Sequence, residues 1–266
     1  GLLGQAMSSN MELAGLYAEL AEYKSLLEKK NRELVEVNQL ISHDLGKPLT
    51  VFKTVMGLLL GDHLGDLGPK QRDAVQNALE ATHYMEELIG DILEASRLDY
   101  DGFQFKFESI DMTLLIGSLI RRLRFHLEEQ RVRVRVEPLP VIQGDQCALQ
   151  KVFMNLIGNA ASYRDLEKDI SLITIAASQS GADWIFEVRD NGVGIPEDSH
   201  DRIFKKFCRG SNTGSISGTG LGLYIVREYA RGHGGEVTVE SKVGEGTTFF
   251  VRIPQEPTQA LHSPVA

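Results

Sequence analysis

The stretch DNGVGIP, Asp190–Pro196, decides the fold. It follows WIFEVR, Trp184–Arg189, where apolar and polar residues alternate as along a half-buried strand. Gly192 and Gly194 let the backbone turn tightly beside a flat ligand, and the Asp190 carboxylate can accept a hydrogen bond from an amine on that ligand. Taken alone, the string fits an ordinary turn equally well.

Two further motifs flank it. SGTGLGL, Ser217–Leu223, stands before a helix expected over 221–231, so Gly218, Thr219, Gly220, Leu221 and Gly222 would offer backbone amides at a helix N-terminus, which suits phosphate. It lacks the Lys-Ser/Thr ending of a Walker loop, and a flexible linker is the plainer reading. In NLIGNA, Asn155–Ala160, the amides of Asn155 and Asn159 are four residues apart and share a helical face. Burying both requires a ligand, a hydrated cation or an internal hydrogen bond to satisfy them.

Around these motifs the chain reads as strand (103–110), helix (112–130), strand (132–136), helix (147–163), strands (170–177 and 184–189), helix (221–231) and a closing hairpin (235–241 and 247–253). The hairpin has no intervening helix, so the pattern is an α/β sandwich rather than a Rossmann repeat. The tail after Pro254 is rich in Pro, Thr, Ser and Gln and reads as frayed.

The first hundred residues differ. Leu13, Leu16, Leu20, Tyr23, Leu27, Leu34, Val37, Ile41, Leu45, Leu49, Phe52, Met56 and Leu59 recur in steps of mostly three and four, the pattern of a coiled-coil stem entering a helical bundle, with Lys30 interrupting the seam. GDHLGDLGP, Gly61–Pro69, is a turn, and a second helix runs to Leu98. Two helices enclose little core, so a second copy is expected to complete a four-helix bundle.

A formal net charge of -9 disfavours nucleic acid as a partner. Cys147 and Cys208 stand far apart without metal spacing and read as free thiols in a reducing compartment. No apolar run reaches the roughly 18 residues of a membrane span. The start at Gly1-Leu2-Leu3-Gly4 reads as a fragment whose upstream sensor domain is missing. A cytoplasmic location is expected for the fragment, whether the full-length protein is soluble or membrane-anchored.

Within the first long helix lies SHDLGKPLT, Ser42–Thr50. A single histidine in an amphipathic helix is ordinarily structural or solvated. The ordered set of His43 in SHDLGKPL, NLIGNA, DNGVGIP, RIFKKFCRG (Arg202–Gly210), GTGLGL and GEGTTFF (Gly244–Phe250) resembles the transmitter core of a bacterial-type sensor histidine kinase. The resemblance spans about residues 40–254 and is specific in its joint order, each motif alone being weak.

The resemblance implies a stem (11–40), a dimerisation and histidine phosphotransfer domain (41–99), a Bergerat-type ATP-binding domain (100–254) and a flexible tail (255–266). It implies ATP and Mg2+ as ligands, with Asp190 receiving the adenine amine, Gly192 and Gly194 shaping the base pocket, Asn159 holding Mg2+ and Asn155 supporting the same face. Gly218–Gly222 would wrap the phosphates, and Arg209 would reach them from a lid over 209–217. His43 would be phosphorylated within a homodimer, with Asp44 accepting a ring proton and Pro48 bending the helix, before transfer to a response-regulator receiver domain. Lys205 and Lys206 read as a solvated face, Trp184 as packing, and Tyr100, Phe103, Phe105 and Phe107 as docking the hinge and packing the first strand. His63, His83, His126, His200 and His233 read as surface or packing residues. A chaperone-like ATPase would need no His43, and a weakly nucleotide-binding dimeric signalling scaffold would need no phosphoryl transfer at all.

Three positions depart from the family pattern. Gly46 replaces a frequent arginine, Ala161-Ser162-Tyr163-Arg164 stands where a lysine is common, so that its phosphate contact is either lost or taken by Arg164, and Lys47 replaces a water-orienting threonine or asparagine. A charged lysine accepts no hydrogen bond from water. The expected outcome is weak phosphatase activity: a phosphorylated receiver decays at the same rate with and without the protein, whereas strong ADP-stimulated loss would contradict this reading of Lys47.

Overall fold

The computed structural model describes the backbone of residues 2–61, 63, 65–99, 104–208 and 218–256, and the side chains of these except 2–10, 12, 28, 31–32 and 34–43. Tyr100, Phe103, the segment 209–217 with Arg209, and the tail from 257 lie outside the described residues, as does the side chain of His43.

Two helices form an antiparallel hairpin, α1 (Leu2–Leu60) and α2 (Pro69–Leu98). Apolar steps of three and four line one side of each helix, and the start of α2 is set by Pro69 at its first turn and by Gln71, whose side chain accepts from the Gly68 amide at 2.9 Å. Leu49 and Thr82 are buried in the hairpin, and Lys53 bonds both carboxylate oxygens of Glu86 at 2.9 Å. The helix assignment is continuous through Pro48, and the Thr50 hydroxyl donates to the Gly46 carbonyl at 2.9 Å. Lys30, expected as an interruption of the seam, is exposed and pairs with Glu33 at 2.8 Å.

The rest of the described chain is a mixed α/β layer. Its elements are β1 (Phe107–Asp111), α3 (Met112–Glu129), β2 (Val132–Val136), β3 (Val141–Asp145), α4 (Gln146–Ser162), β4 (Ser171–Ser180), β5 (Asp183–Asp190), a 3-10 turn (Glu197–Ser199), α5 (Gly222–Gly232), β6 (Glu236–Lys242) and β7 (Gly246–Pro254). The main sheet has the order β2-β4-β5-β7-β6, parallel only between β2 and β4, and β1 pairs with β3 in a separate two-stranded sheet. The first strand spans Phe107–Asp111, a later start than the expected 103–110, and β3 and the 3-10 turn have no counterpart in the sequence pattern.

The strand period of two sends Ile173 and Ile175, Phe186 and Val188, and Phe249, Val251 and Ile253 to one buried face. Phe153, Leu156 and Ile157 of α4, Ile116 and Leu119 of α3, and Ile225 and Val226 of α5 belong to the same core, with Phe153 meeting Phe186 edge-on at 5.5 Å between centroids. Carboxylates start two of these helices: Asp111 accepts from the Leu114 amide and Asp145 from the Ala148 amide, each at 3.0 Å.

His233 is a packing histidine. Its Nε2 accepts from the Asp145 amide at 3.0 Å, and its Nδ1 can only donate to the Tyr229 carbonyl at 2.7 Å, so the partners select one neutral tautomer. Phe105 and Phe107 pack edge-on to the ring, at 5.1 and 5.4 Å between centroids. Burial pulls the imidazole down to about 4 from 6.5. The folded value lies below the unfolded one, so the stabilisation is complete above the unfolded value and is lost as pH falls from there towards the folded one. The loss is at most about 3 kcal/mol. Urea unfolding of wild type should therefore weaken on going from neutral pH to about pH 5 by roughly 2 kcal/mol more than that of His233→Gln; equal pH slopes would contradict the assignment.

Candidate functional site

The central pocket, about 490 Å³, lies where three separated motifs converge. Asn155, Asn159, Asp190, Gly194, Thr219 and Gly222 are among the residues lining it, brought together by α4, the end of β5 and the segment leading into α5. Gly218 and Gly220 line it too, whereas Gly192 and Leu221 are not among its lining residues. Leu221 is buried and bonds its amide to the Thr219 hydroxyl at 3.2 Å.

At the base of the pocket the Asp190 carboxylate accepts from the Gly192 amide at 2.8 Å and from the Thr247 amide at 3.3 Å. Burial pushes its carboxyl up to about 6 from 3.8, against the pull of those two amides and of the Lys168 charge. A carboxylate poised this way can receive a donor such as an exocyclic amine.

The glycines beside it have a more internal reason than the ligand. A Cβ on Gly192 would stand 2.2 Å from the Tyr163 carbonyl oxygen, and one on Gly194 would stand 2.1 Å from that of Lys242. Gly194 also has φ +72°, in the left-handed region. These glycines let the loop press against two neighbouring chain segments, and the pocket wall follows from that.

On α4, one helical turn separates Asn155 from Asn159. Asn155 donates to the Lys151 carbonyl at 3.0 Å and points its amide oxygen to within 2.4 Å of where a Cβ on Gly222 would lie, so α4 and α5 meet at that pair. The side chain of Asn159 supplies a neutral oxygen on the pocket wall, a hard donor suited to one position on Mg2+. Among the described residues there is no cluster of three or more His, Cys, Asp or Glu side chains able to hold a metal ion.

The opposite rim belongs to the hairpin. Glu87 and Asp91 of α2 line the pocket, and the Thr219 hydroxyl donates to Asp91 at 2.5 Å. Burial raises both carboxyls, and at Asp91 the Thr219 hydrogen bond opposes the shift. Further along α2, Tyr229 donates to Glu94 and Lys151 lies 3.4 Å from Glu94, and at the C-cap of the helix Tyr224 and Lys206 both bond Asp99. The Tyr224 hydroxyl is driven far up by burial and by Asp99, so it stays a donor. Lys206 is exposed, as the solvated-face reading has it, and in addition bonds Asp99 and stands 4.8 Å from the Tyr224 ring centroid. Lys205 is exposed, as expected. Sequence reasoning had no signal for these α2 carboxylates, which look like the outer face of any amphipathic helix.

His43 and Asp44 lie in α1, Asp44 exposed. The Lys53–Glu86 pair joins antiparallel helices, so the part of α2 beyond Glu86 and the part of α1 before Lys53 lie towards the same end of the hairpin. Asp91–Asp99 and His43 thus share that end.

The comparisons bear on both halves. Residues 144–257 match the family of histidine kinase-, DNA gyrase B- and HSP90-like ATPases, and residues 33–101 match the His Kinase A (phospho-acceptor) domain. Cyanobacterial phytochrome A of Nostoc sp. is 33% identical over 236 residues, covering 89% of this chain and 30% of that protein. Sensor protein KdpD of Escherichia coli is 32% identical over 224 residues, covering 83% and 24%. The chain thus spans about a third or less of the length of these relatives. Full-length ShkA, solved in complex with AMPPNP, superposes with a TM-score of 0.65 at 25% identity, over 85% of this chain and 47% of that one. The Acinetobacter baumannii histidine kinase AdeS, at 18% identity and a TM-score of 0.56 over 80% of this chain and 98% of that one, shares the fold. No helix among the described residues is long and apolar enough to cross a membrane.

The glycine geometry yields a contrast. Gly194→Ala should lower unfolding free energy by at least ~2 kcal/mol through backbone strain and the carbonyl clash. Gly218→Ala, whose Cβ would meet nothing within 4 Å, should stay within ~1 kcal/mol of wild type in the same urea titration.

Proposed function

The chain belongs to the histidine kinases, joining a phospho-acceptor domain to an ATP-binding domain, and from that premise we propose that it phosphorylates His43 with ATP and passes the phosphoryl group to an aspartate of a response-regulator receiver domain. The observation that carries this reading is the pocket itself: three motifs of the α/β layer line one side, and the rim opposite is the hairpin that bears His43.

In this reading Asp190 receives the adenine amine, and Gly192 and Gly194 set the wall beside the base. Gly218, Thr219, Gly220, Leu221 and Gly222 bring backbone amides at the start of α5 to the phosphates, and Arg209 would reach them from the segment outside the described residues. Asn159 would hold Mg2+, with Asn155 supporting the same face; the ion's chemistry is to neutralise charge on the transferring group. A neutral imidazole nitrogen of His43 attacks the γ-phosphorus in line while the bond to the ADP oxygen breaks and ADP leaves. Asp44, the next residue, accepts the proton of the other ring nitrogen.

We assign residues 11–40 to a signalling stem, 41–99 to dimerisation and phosphotransfer, 100–254 to nucleotide binding and 255–266 to a tail. A homodimer accounts for the apolar side chains that a single hairpin leaves in water: Leu16, Leu20 and Leu27 of the stem, Leu45 and Phe52 around the phosphotransfer segment, and Met85 on α2 are all exposed. A second copy would cover them as a four-helix bundle continued by a coiled coil.

Incubation with γ-labelled ATP should give acid-labile, base-stable label on the protein, absent in His43→Gln and reduced at least ~100-fold in Asp190→Asn, which cannot accept the amine's hydrogen bond in the same way. Label retained in His43→Gln would overturn the assignment of the phosphoacceptor. Nucleotide binding without any label would leave a signalling scaffold.

A further inference from the structure

Lys168 belongs to none of the motifs that define the site, yet its ammonium is seated against it. The Nζ donates to the carbonyl of Asn191 at 2.7 Å and of Gly244 at 2.8 Å, with the Gly192 carbonyl at 3.5 Å and the Asp165 carboxylate at 3.7 Å. Three N–H donors and no acceptor make an ammonium suited to a cage of carbonyls. Those carbonyls come from two segments, Asn191 and Gly192 after β5 and Gly244 in the turn from β6 to β7, which are also joined by the Gly244 amide donating to the Val193 carbonyl at 2.9 Å.

The same two segments supply the two amides that hold Asp190. The Gly192 amide comes from the loop after β5, and the Thr247 amide from the start of β7, just past the turn that Lys168 grips. A third tie acts on the same loop, because the Asn191 side chain accepts from the Leu172 amide and donates to the Ile170 carbonyl, each at 2.8 Å. Asn191 thus fixes the loop to the entry of β4, and Lys168 fixes it to the β6–β7 turn.

We propose that Lys168 is a positioning residue for the adenine end of the nucleotide: it clamps the loop after β5 to the β6–β7 turn and so holds both amides that aim the Asp190 carboxylate. The inference rests on the nucleotide-binding reading above. It assigns Lys168 two separable effects. The clamp fixes geometry, and the positive charge beside Asp190 favours its ionised, amine-accepting form.

The sign follows from the direction of that electrostatic effect. Affinity that depends on ionised Asp190 falls as pH drops through the carboxyl's value of about 6. Removing the lysine charge raises that value, so the fall begins at higher pH.

The experiment is calorimetric titration of the full chain with a non-hydrolysable ATP analogue across about pH 5 to about pH 8, for wild type, Lys168→Met and Lys168→Arg, with thermal unfolding of each. Lys168→Met should bind about tenfold more weakly at neutral pH and show its affinity midpoint shifted upward by a few tenths of a unit or more. Lys168→Arg should keep the wild-type midpoint and recover most of the affinity. Wild-type affinity and midpoint in Lys168→Met overturn the proposal, and so does a lowered melting temperature with an unmoved midpoint, which makes Lys168 a structural tie only. A wild-type chain that binds no adenine nucleotide overturns the functional reading instead, and this inference with it.

Discussion

A carboxylate at the end of a buried strand needs donors, and the way Asp190 finds its two organises the site around it. One amide comes two residues later in its own loop and the other from the neighbouring strand β7. That second amide is within reach because β7 lies beside β5 in register, with Asp190 opposite Thr247. The approach is close enough that Gly246, at φ +124°, would place a Cβ 2.2 Å from the Asp190 carbonyl oxygen. The sheet order and the glycines around the turn serve one requirement, that a partly desolvated charge be held by backbone hydrogen bonds, and burial raises the carboxyl's pKa against the pull of those bonds.

Much of this arrangement is legible in residue order. An alternating strand that ends in Asp-Asn-Gly locates Asp190, and two asparagines four apart locate the helix face across from it. A glycine cluster before an amphipathic helix locates the third wall. What the pattern does not contain is the reason for particular glycines. Gly192 and Gly194 read as room for a ligand, whereas their missing side chains make room for the carbonyls of Tyr163 and Lys242. The strand β3 is only five residues long, carries a central Gln and Gly, and follows Pro138 and Pro140, so neither its length nor its alternation announces it.

Contacts between distant segments are less legible still. Lys206 stands in a run that looks solvated, and it acquires partners only because α2 brings Asp99 to it. Lys168 is silent for a different reason. Its partners are mostly backbone carbonyls, which every residue possesses, so no side-chain pattern marks them. Asp91 and Glu94 have the spacing of ordinary helix-surface acids, and only the position of the α/β layer gives them hydroxyl and ammonium partners.

The Thr219–Asp91 hydrogen bond divides the pocket between two bodies. The end near Asp190 is framed by β5, β7 and the loops tied to them, all within the α/β layer. The glycine-rich end is anchored on the far side of the boundary, to a helix of the hairpin. The pocket therefore works like a caliper, with one jaw fixed in the sheet and the other resting on α2. A rotation of the hairpin would reach the glycine-rich jaw through the Thr219 hydroxyl and α5 through Tyr224 and Tyr229, whereas the bonds that hold Asp190 all lie within the α/β layer.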